Sequence, residues 1–408
     1  MVNGGAIIVN TNEENIQKVL NADISELPGM SFYCESCKRE HSVDIRKIIV
    51  EKGAVNKVPS IAADFKNGRL FLVADNNTYS VCGKKVEKIL ADEGFKLKTF
   101  VFNTPHLLVP GEQTLGRLLI EFEKDTSLIV AVGSGVINDM CRYISYKMDV
   151  PYIIVGTAPS MDGYSSVVTP TIVDGRKVTL EGVYPYAIVG DLDVLKEAPM
   201  EMLHAGFGDI LGKYVALTDW DFSRKLNGEN YCEICTTLMR NALEKCIENI
   251  DGIKNRDEQA IKYLMDALIL AGITMGMYGS SRPASGAEHY FAHYWDEDAI
   301  SKGREHPLHG NSVGVGTVIA SEIYKFVGDR IPVKVDPPDP DRIRELLQRI
   351  GACDNPRDLG IDRELFKRSV VHSKDNRPKF TISHYAGQLG LLEELSEILT
   401  ERFYGGCG

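Results

Sequence analysis

Four of the nine histidines crowd into one stretch, His289 and His293 in "SGAEHYFAH" and His306 and His309 in "EHPLHG". Four residues is just over one helical turn, so a helix through this segment sends His289 and His293 out of one face. Neutral imidazoles ligate divalent transition metals, and a catalytic site takes three protein donors while leaving positions open to substrate. The matching carboxylate is Asp209 in "HAGFGDILGKY", read as lying in a first helical turn, where it could also serve as an N-terminal cap. Asp209, one histidine of the 289/293 pair and His309 would complete such a site. The remaining histidine is then available to hydrogen-bond or relay a proton, and spacing alone does not decide between the two.

A second group of residues suits a dinucleotide. "GSGVINDM" follows an apolar strand and precedes a helix expected to begin near Asn138, so Gly133 and Gly135 expose backbone amides to a pyrophosphate. Asp75 ends an earlier strand, where its carboxylate can accept hydrogen bonds from a ribose. It precedes the glycine loop by more than fifty residues, whereas in the ordinary fingerprint the acid follows by about 20. A third loop, "TAPSMDGYSS", carries Thr157, Ser160, Ser165 and Ser166 with Asp162 among them. Three such loops after three strands fall on one edge of a parallel sheet, where α/β proteins bind ligands.

The elements that must hold these groups divide into two halves. Short β-branched runs at 69–75, 95–103, 127–134, 151–157 and 186–191 alternate with helical patterns, which predicts parallel strands with crossover helices. A hairpin with its turn at Asp174 and Gly175 is inserted before the last strand. Beyond about residue 195 the apolar spacing becomes three and four, as in "RDEQAIKYLMDALILAGITMGMY", and the rest of the chain reads as helical. The expected organisation is a β-rich extension over 1–46, an α/β dinucleotide-binding domain over 47–195 with a Rossmann-like, mainly parallel sheet, and an all-α metal- and substrate-binding domain over 196–408.

A net charge of −11 with 25% charged and 44% hydrophobic residues describes a folded chain whose surface does not invite nucleic acid or anionic membranes. The start lacks the pattern of a secretory leader, and no run approaches about 20 uninterrupted apolar residues. Nine cysteines read as reduced thiols, which fits the cytoplasm. "CESCKREH" groups Cys34, Cys37 and His41 as three local metal donors without a visible fourth; Cys232 and Cys235, at helical spacing, read as core packing.

From about residue 47 to 330 the motifs "VADNNTY", "AVGSGVINDM", "TAPSMDGYSS", "AGFGDILGK", "SRPASGAEHYFAH" and "LHGNSVGVGT" occur in order, and the sequence resembles the glycerol-1-phosphate dehydrogenases. The likeness is to the bacterial arabinose-operon type, within the group of glycerol dehydrogenase, iron-containing alcohol dehydrogenases and dehydroquinate synthase. That group also places its ribose-binding acid ahead of its glycine loop. The resemblance implies a dehydroquinate synthase-like fold, a homodimer, and reversible reduction of dihydroxyacetone phosphate to sn-glycerol 1-phosphate. The cofactor would be NAD(H), with NADP(H) as the alternative that Asp75 disfavours, alongside one divalent zinc, nickel or iron ion.

It implies that the dinucleotide is held by Asp75, by the loop of Gly133, Ser134, Gly135, Val136 and Ile137, by Thr157, Ala158, Pro159 and Ser160, and by Ser166. Metal falls to Asp209, His289 and His309, while Asp162 and His293 serve as catalytic groups facing substrate beside Asp209. His306 is outside the motif. For the substrate phosphate, "SSRPASG" offers Arg282 with Ser281 and Ser285. Rival activities are a glycerol or polyol dehydrogenase and a dehydroquinate synthase-like lyase.

Overall fold

The structure is a computed structural model that describes residues 7–9, 13–104, 108–375 and 377–405. The first residues of the stretch read for a leader lie outside these. The strands are β1 (Ile7–Val9), β2 (Met30–Cys34), β3 (Arg39–Ser42), β4 (Lys47–Glu51), β5 (Arg69–Asp75), β6 (Lys96–Phe102), β7 (Thr126–Gly133), β8 (Tyr152–Gly156), β9 (Val168–Val173), β10 (Arg176–Glu181) and β11 (Ala187–Asp191).

Six strands form one sheet in the order β4-β11-β8-β7-β5-β6, with every neighbouring pair parallel. Parallel sheets are covered on both faces, so their central strands are apolar throughout. Accordingly Leu128 to Val132 of β7 and Ile153 to Val155 of β8 are fully buried. Because all six strands run the same way, β5, β7 and β8 deliver Asp75, Gly133 and Gly156 to one edge. β4 went unread because its three buried residues, Ile48, Ile49 and Val50, are too short a run to stand out. The inserted hairpin is β9 against β10, turned by Asp174 and Gly175 at φ of 50° and 71°, the left-handed pair that a two-residue turn demands.

Two local expectations need correction. The helix after the glycine loop is Gly135–Met148 and starts three residues before Asn138. Asp209 caps nothing: it lies well inside the 28-residue helix Met200–Asn227, because the glycines read as an approach are helical.

The second half packs the helices Met200–Asn227, Glu258–Tyr278, Ala287–Ser301 and His309–Val327 into a core continuous with one face of the sheet. Glu258–Tyr278 is long and apolar enough to cross a membrane by length and composition alone. It is the central core helix here, interrupted by the pair Lys262 and Asp266 at 2.6 Å. In the extension, β1 pairs with β2 in parallel and β2 with β3 antiparallel, beside a helix at Glu13–Asn21. Arg39 and His41 on β3 donate to the carbonyls of Tyr278 (2.7 Å) and Met277 (2.6 Å) at the end of the core helix.

Candidate active site

Glycine sets the geometry of the site. A Cβ on Gly310 would stand 1.8 Å from the Ala205 carbonyl oxygen, and one on Gly208 would stand 2.4 Å from that of Gly310. Only hydrogen fits at these positions, so the Met200–Asn227 and His309–Val327 helices meet backbone to backbone. Gly316 does the same for a third helix, its Cβ position lying 2.4 Å from the Glu288 carbonyl. Asp209, His289 and His309 are thereby carried to one junction.

Asp209 is fully buried. Its Oδ1 accepts from Lys213 Nζ at 2.8 Å and its Oδ2 accepts the Asp162 amide at 3.0 Å. Lys213 also donates to Asp162 Oδ2 at 2.6 Å and to the Ala284 carbonyl at 3.0 Å. Burial opposes both charges, but the pairing outweighs it. The Lys213 ammonium holds the Asp209 carboxyl far below the usual range, and Asp162 and Asp209 raise the Lys213 ammonium.

His289 Nδ1 donates to Glu288 Oε1 at 2.7 Å, and the same oxygen accepts the Gly286 amide at 2.7 Å. That fixes the tautomer and turns Nε2, as a lone pair, toward Asp209 Oδ1 3.6 Å away. The spacing is too long for a hydrogen bond and near that of two donors sharing an ion, with a carboxylate supporting the imidazole from behind. Of the pair in "EHYFAH", His289 could ligate beside Asp209, while His293 falls with Asp296 and His309.

The His289 and His309 rings are 5.3 Å apart, about the distance expected for two imidazoles bound to one ion at roughly 2 Å each. His309 Nδ1 is buried with no hydrogen-bond partner; its nearest carboxylate oxygen, on Asp296, is 3.7 Å away. The donor atoms of Asp162, Asp209 and His289 form one set within 4.8 Å, and those of His293, Asp296 and His309 form a neighbouring one. The residues present thus suit a divalent cation. His293 lies between the other two rings, 6.1 Å from His289 and 5.4 Å from His309. Burial, then Lys177 and the two histidines, push its pKa well below the ordinary value, so it is a neutral imidazole.

The sheet edge lies against this cluster. β7 and β8 end side by side, with Gly133 opposite Gly156 and the Thr157 amide donating to the Gly133 carbonyl at 3.0 Å. A Cβ on Gly133 would strike Ile137 at 2.7 Å, so the glycine lets the first helical turn fold tightly over the strand. Ser134 makes no side-chain cap, which leaves the helix N-terminus to its amides. Asn138 Nδ2 donates to the Gly163 carbonyl at 3.0 Å and Ser166 Oγ bonds Val168. Asp75 Oδ1 accepts the Asn77 and Thr78 amides at 2.8 Å each. The 157–166 loop bridges the two halves: Pro159 O is 1.9 Å from where Gly206 would carry a Cβ, and the Asp162 amide reaches Asp209.

A sequence profile described as "Iron-containing alcohol dehydrogenase" matches residues 49–199. Curated relatives named "Glycerol-1-phosphate dehydrogenase [NAD(P)+]" cover nearly everything. That of Halalkalibacterium halodurans is 34% identical over 389 residues, 89% of this chain and 97% of the relative. That of Geobacillus stearothermophilus is 32% identical over 408 residues, 92% and 100% of the two chains. The chain belongs to the glycerol-1-phosphate dehydrogenase family. Solved structures share the fold. Glycerol dehydrogenase from Schizosaccharomyces pombe superposes with a TM-score of 0.64 at 18% identity, covering 87% of this chain and 90% of that one. Maleylacetate reductase from Rhizobium sp. strain MTP-10005 gives 0.67 at 15% identity, covering 90% and 98%.

In this glycerol-1-phosphate dehydrogenase family member, two expectations change in the structure. Arg282 is not open to a phosphate: its guanidinium is forked onto Glu229 and the Phe380 carbonyl. Cys232 is not simple core packing, since it caps the Glu233–Glu248 helix and faces Cys34 and His41. His306 Nδ1 lies 3.6 Å from Asp296, beside the cluster.

Sequence reasoning also missed Lys213, Glu288 and Asp296. Helical spacing carried a signal for each, because Lys213 is four residues after Asp209, Glu288 adjoins His289 and Asp296 is three after His293. Lys177, on β10, pairs with Asp296 at 2.8 Å and straps the hairpin to the helical half. Lys379 gives Nζ to Ser281 Oγ (2.9 Å), Ser285 Oγ (2.8 Å) and the Ser285 carbonyl (2.7 Å). Neither lysine has a local sequence signal.

Proposed function

We propose that this chain reversibly reduces dihydroxyacetone phosphate to sn-glycerol 1-phosphate with NADH or NADPH and a divalent metal. The observation that supports the reading is the closeness of Asp209 to His289 Nε2 (3.6 Å) and of the His289 and His309 rings (5.3 Å), with Asp209 accepting the Asp162 amide from the loop that leaves the dinucleotide edge. Asp209, His289 and His309 would hold the ion, and Asp75, the Gly133–Ile137 loop, Thr157–Ser160 and Ser166 the dinucleotide. With both bound, the centre gains a Lewis acid beside the carbonyl oxygen and a hydride source beside the carbonyl carbon.

The chain's own groups do the rest. Asp162, its Oδ2 tied to Lys213, is fixed to accept a substrate hydroxyl. Lys213 pairs with both carboxylates in a dry environment, where their field is strongest. His293, held neutral, donates a proton from one ring nitrogen to the developing alkoxide and accepts one on the other, a relay. The 157–166 loop closes one wall against water. The assay is NADH oxidation with dihydroxyacetone phosphate, with and without chelator, followed by chiral analysis of the product. Turnover that survives full metal removal, or that needs glycerol and ignores its phosphate, defeats the reading.

Lys379, whose Nζ bonds Ser281 Oγ and Ser285, would serve as the cation for the substrate phosphate in place of Arg282 by exchanging one of these hydroxyl bonds for a phosphate oxygen. It and Lys213 flank the same loop, bonding the adjacent carbonyls of Ser285 and Ala284. Burial lowers its pKa to about 7, against the pull of Glu288 and Asp219. Lys379→Met is expected to reduce kcat/KM for dihydroxyacetone phosphate by about 10- to 100-fold, the worth of a charge-assisted contact, while sparing unphosphorylated dihydroxyacetone. Lysine is charged below its pKa, so wild-type kcat/KM should fall as pH rises through about 7. Steady-state profiles of both proteins check this: the alkaline limb should vanish in the variant.

A further inference from the structure

Away from the cleft, four metal-binding side chains that the reaction does not use meet at one buried point. Cys34 ends β2, Cys37 lies in the following turn, His41 is on β3, and Cys232 comes from the start of the Glu233–Glu248 helix. None is more than 1% exposed. Their ligand atoms all lie within 4.8 Å of one another. Cys34 Sγ is 3.7 Å from Cys232 Sγ, and His41 Nε2 is 3.2 Å from Cys37 Sγ and 3.4 Å from Cys232 Sγ. Sulfurs at about 2.3 Å and nitrogen at about 2.0 Å from a tetrahedral ion are separated by roughly 3.5 to 3.8 Å. The three short separations match edges of that tetrahedron, slightly drawn in at His41.

The surroundings are those of bound thiolates. His41 Nδ1 lies 2.6 Å from the Met277 carbonyl. A carbonyl only accepts, so Nδ1 carries the proton and Nε2 turns its lone pair to the sulfurs, as the outer partner of a ligating imidazole requires. A backbone amide aims at the sulfurs as well, that of Cys235 donating to Cys232 at 3.5 Å. Lys38 adopts a left-handed φ of 57° to turn the chain between them.

We propose that Cys34, Cys37, His41 and Cys232 bind one structural zinc ion that fastens the N-terminal sheet to the helical half of the chain. Three thiolates and an imidazole fill a tetrahedral shell and leave no position for substrate, which separates this centre in kind from the carboxylate and imidazole cluster in the cleft. The need is physical. The three short strands of the extension have too little apolar area to hold themselves in place, and small units of this kind are commonly stapled by a metal.

The test uses the full-length chain purified from zinc-replete cells. His309→Ala removes a ligand of the cleft only, so this variant should retain one zinc per chain through dialysis against EDTA. Its zinc absorption edge should fit three sulfurs at about 2.3 Å and one nitrogen at about 2.0 Å. Wild-type protein grown with cobalt should show a thiolate-to-cobalt charge-transfer band in the near ultraviolet, to which the sulfur-free cleft cannot contribute. Cys37→Ser added to His309→Ala should take the metal content from one to none and lower the melting temperature. If the cysteine variant does not fold, the cobalt spectrum and the absorption edge decide alone. Natively folded His309→Ala protein without metal, ligation by oxygen and nitrogen only, or a Cys34–Cys232 disulfide in peptide mapping overturns the proposal.

Discussion

His309→Ala is expected to lower kcat/KM for dihydroxyacetone phosphate by about 10³-fold, the scale of losing the charge that stabilises an oxyanion, with almost no change in melting temperature. The contrast follows from what His309 touches. Its Nδ1 has no hydrogen-bond partner and its side chain is partly exposed, so truncation strands nothing. Asp209→Asn should damage turnover as severely but also destabilise the protein, because Lys213 is then left with Asp162 as its single anionic partner in a dry pocket. Breaking a buried pair costs about 3 to 5 kcal/mol in the full case. Kinetics, bound metal and thermal melts on the two variants separate the roles. His309→Ala protein that keeps its cleft metal and its rate would move the centre to Asp162, Asp209 and His289.

Gly310→Ala should be the most damaging change that adds only a methyl group. The new Cβ would lie 1.8 Å from the Ala205 carbonyl oxygen, and neither atom belongs to a side chain that can rotate away. The helices carrying Asp209 and His309 must separate, which costs about 1 to 3 kcal/mol or more in overpacking. A displacement of about 1 Å at the reacting centre costs roughly 10²-fold in rate. The control is Gly116→Ala, in the Glu112–Glu121 helix, where an added Cβ meets nothing within 4 Å. There the substitution should stabilise by about 0.5 to 1 kcal/mol through reduced backbone freedom. Thermal melts of the two variants should therefore move in opposite directions.

Much of this arrangement was legible because its signals are local. Asp75, Gly133 and Thr157 could be placed on one edge from strand order alone, and the turn at Asp174 and Gly175 from its two residue types. Asp209 was expected in a first helical turn and lies mid-helix: glycines that read as a loop are helical, since close packing against Gly310 and Gly314 outweighs their low helix propensity. Contacts between distant segments left no trace. Cys232 meets Cys34 across 198 positions, so neither "CESC" nor "CEIC" revealed a fourth ligand. Arg282 looked open because Glu229, which binds it, is 53 residues away.

The pairing of Lys213 also bears on the order in which the protein is expected to mature. Because its ammonium already pairs with both Asp209 and Asp162, neither carboxylate lacks a cation before a metal arrives, and the chain is expected to reach its native form first and be loaded afterwards. Chelation there should be fully reversible, with activity restored simply by adding metal back. A thiolate centre holding the extension behaves oppositely, its ion taken up as the polypeptide folds, so two metals in one chain would record two different moments in its biogenesis.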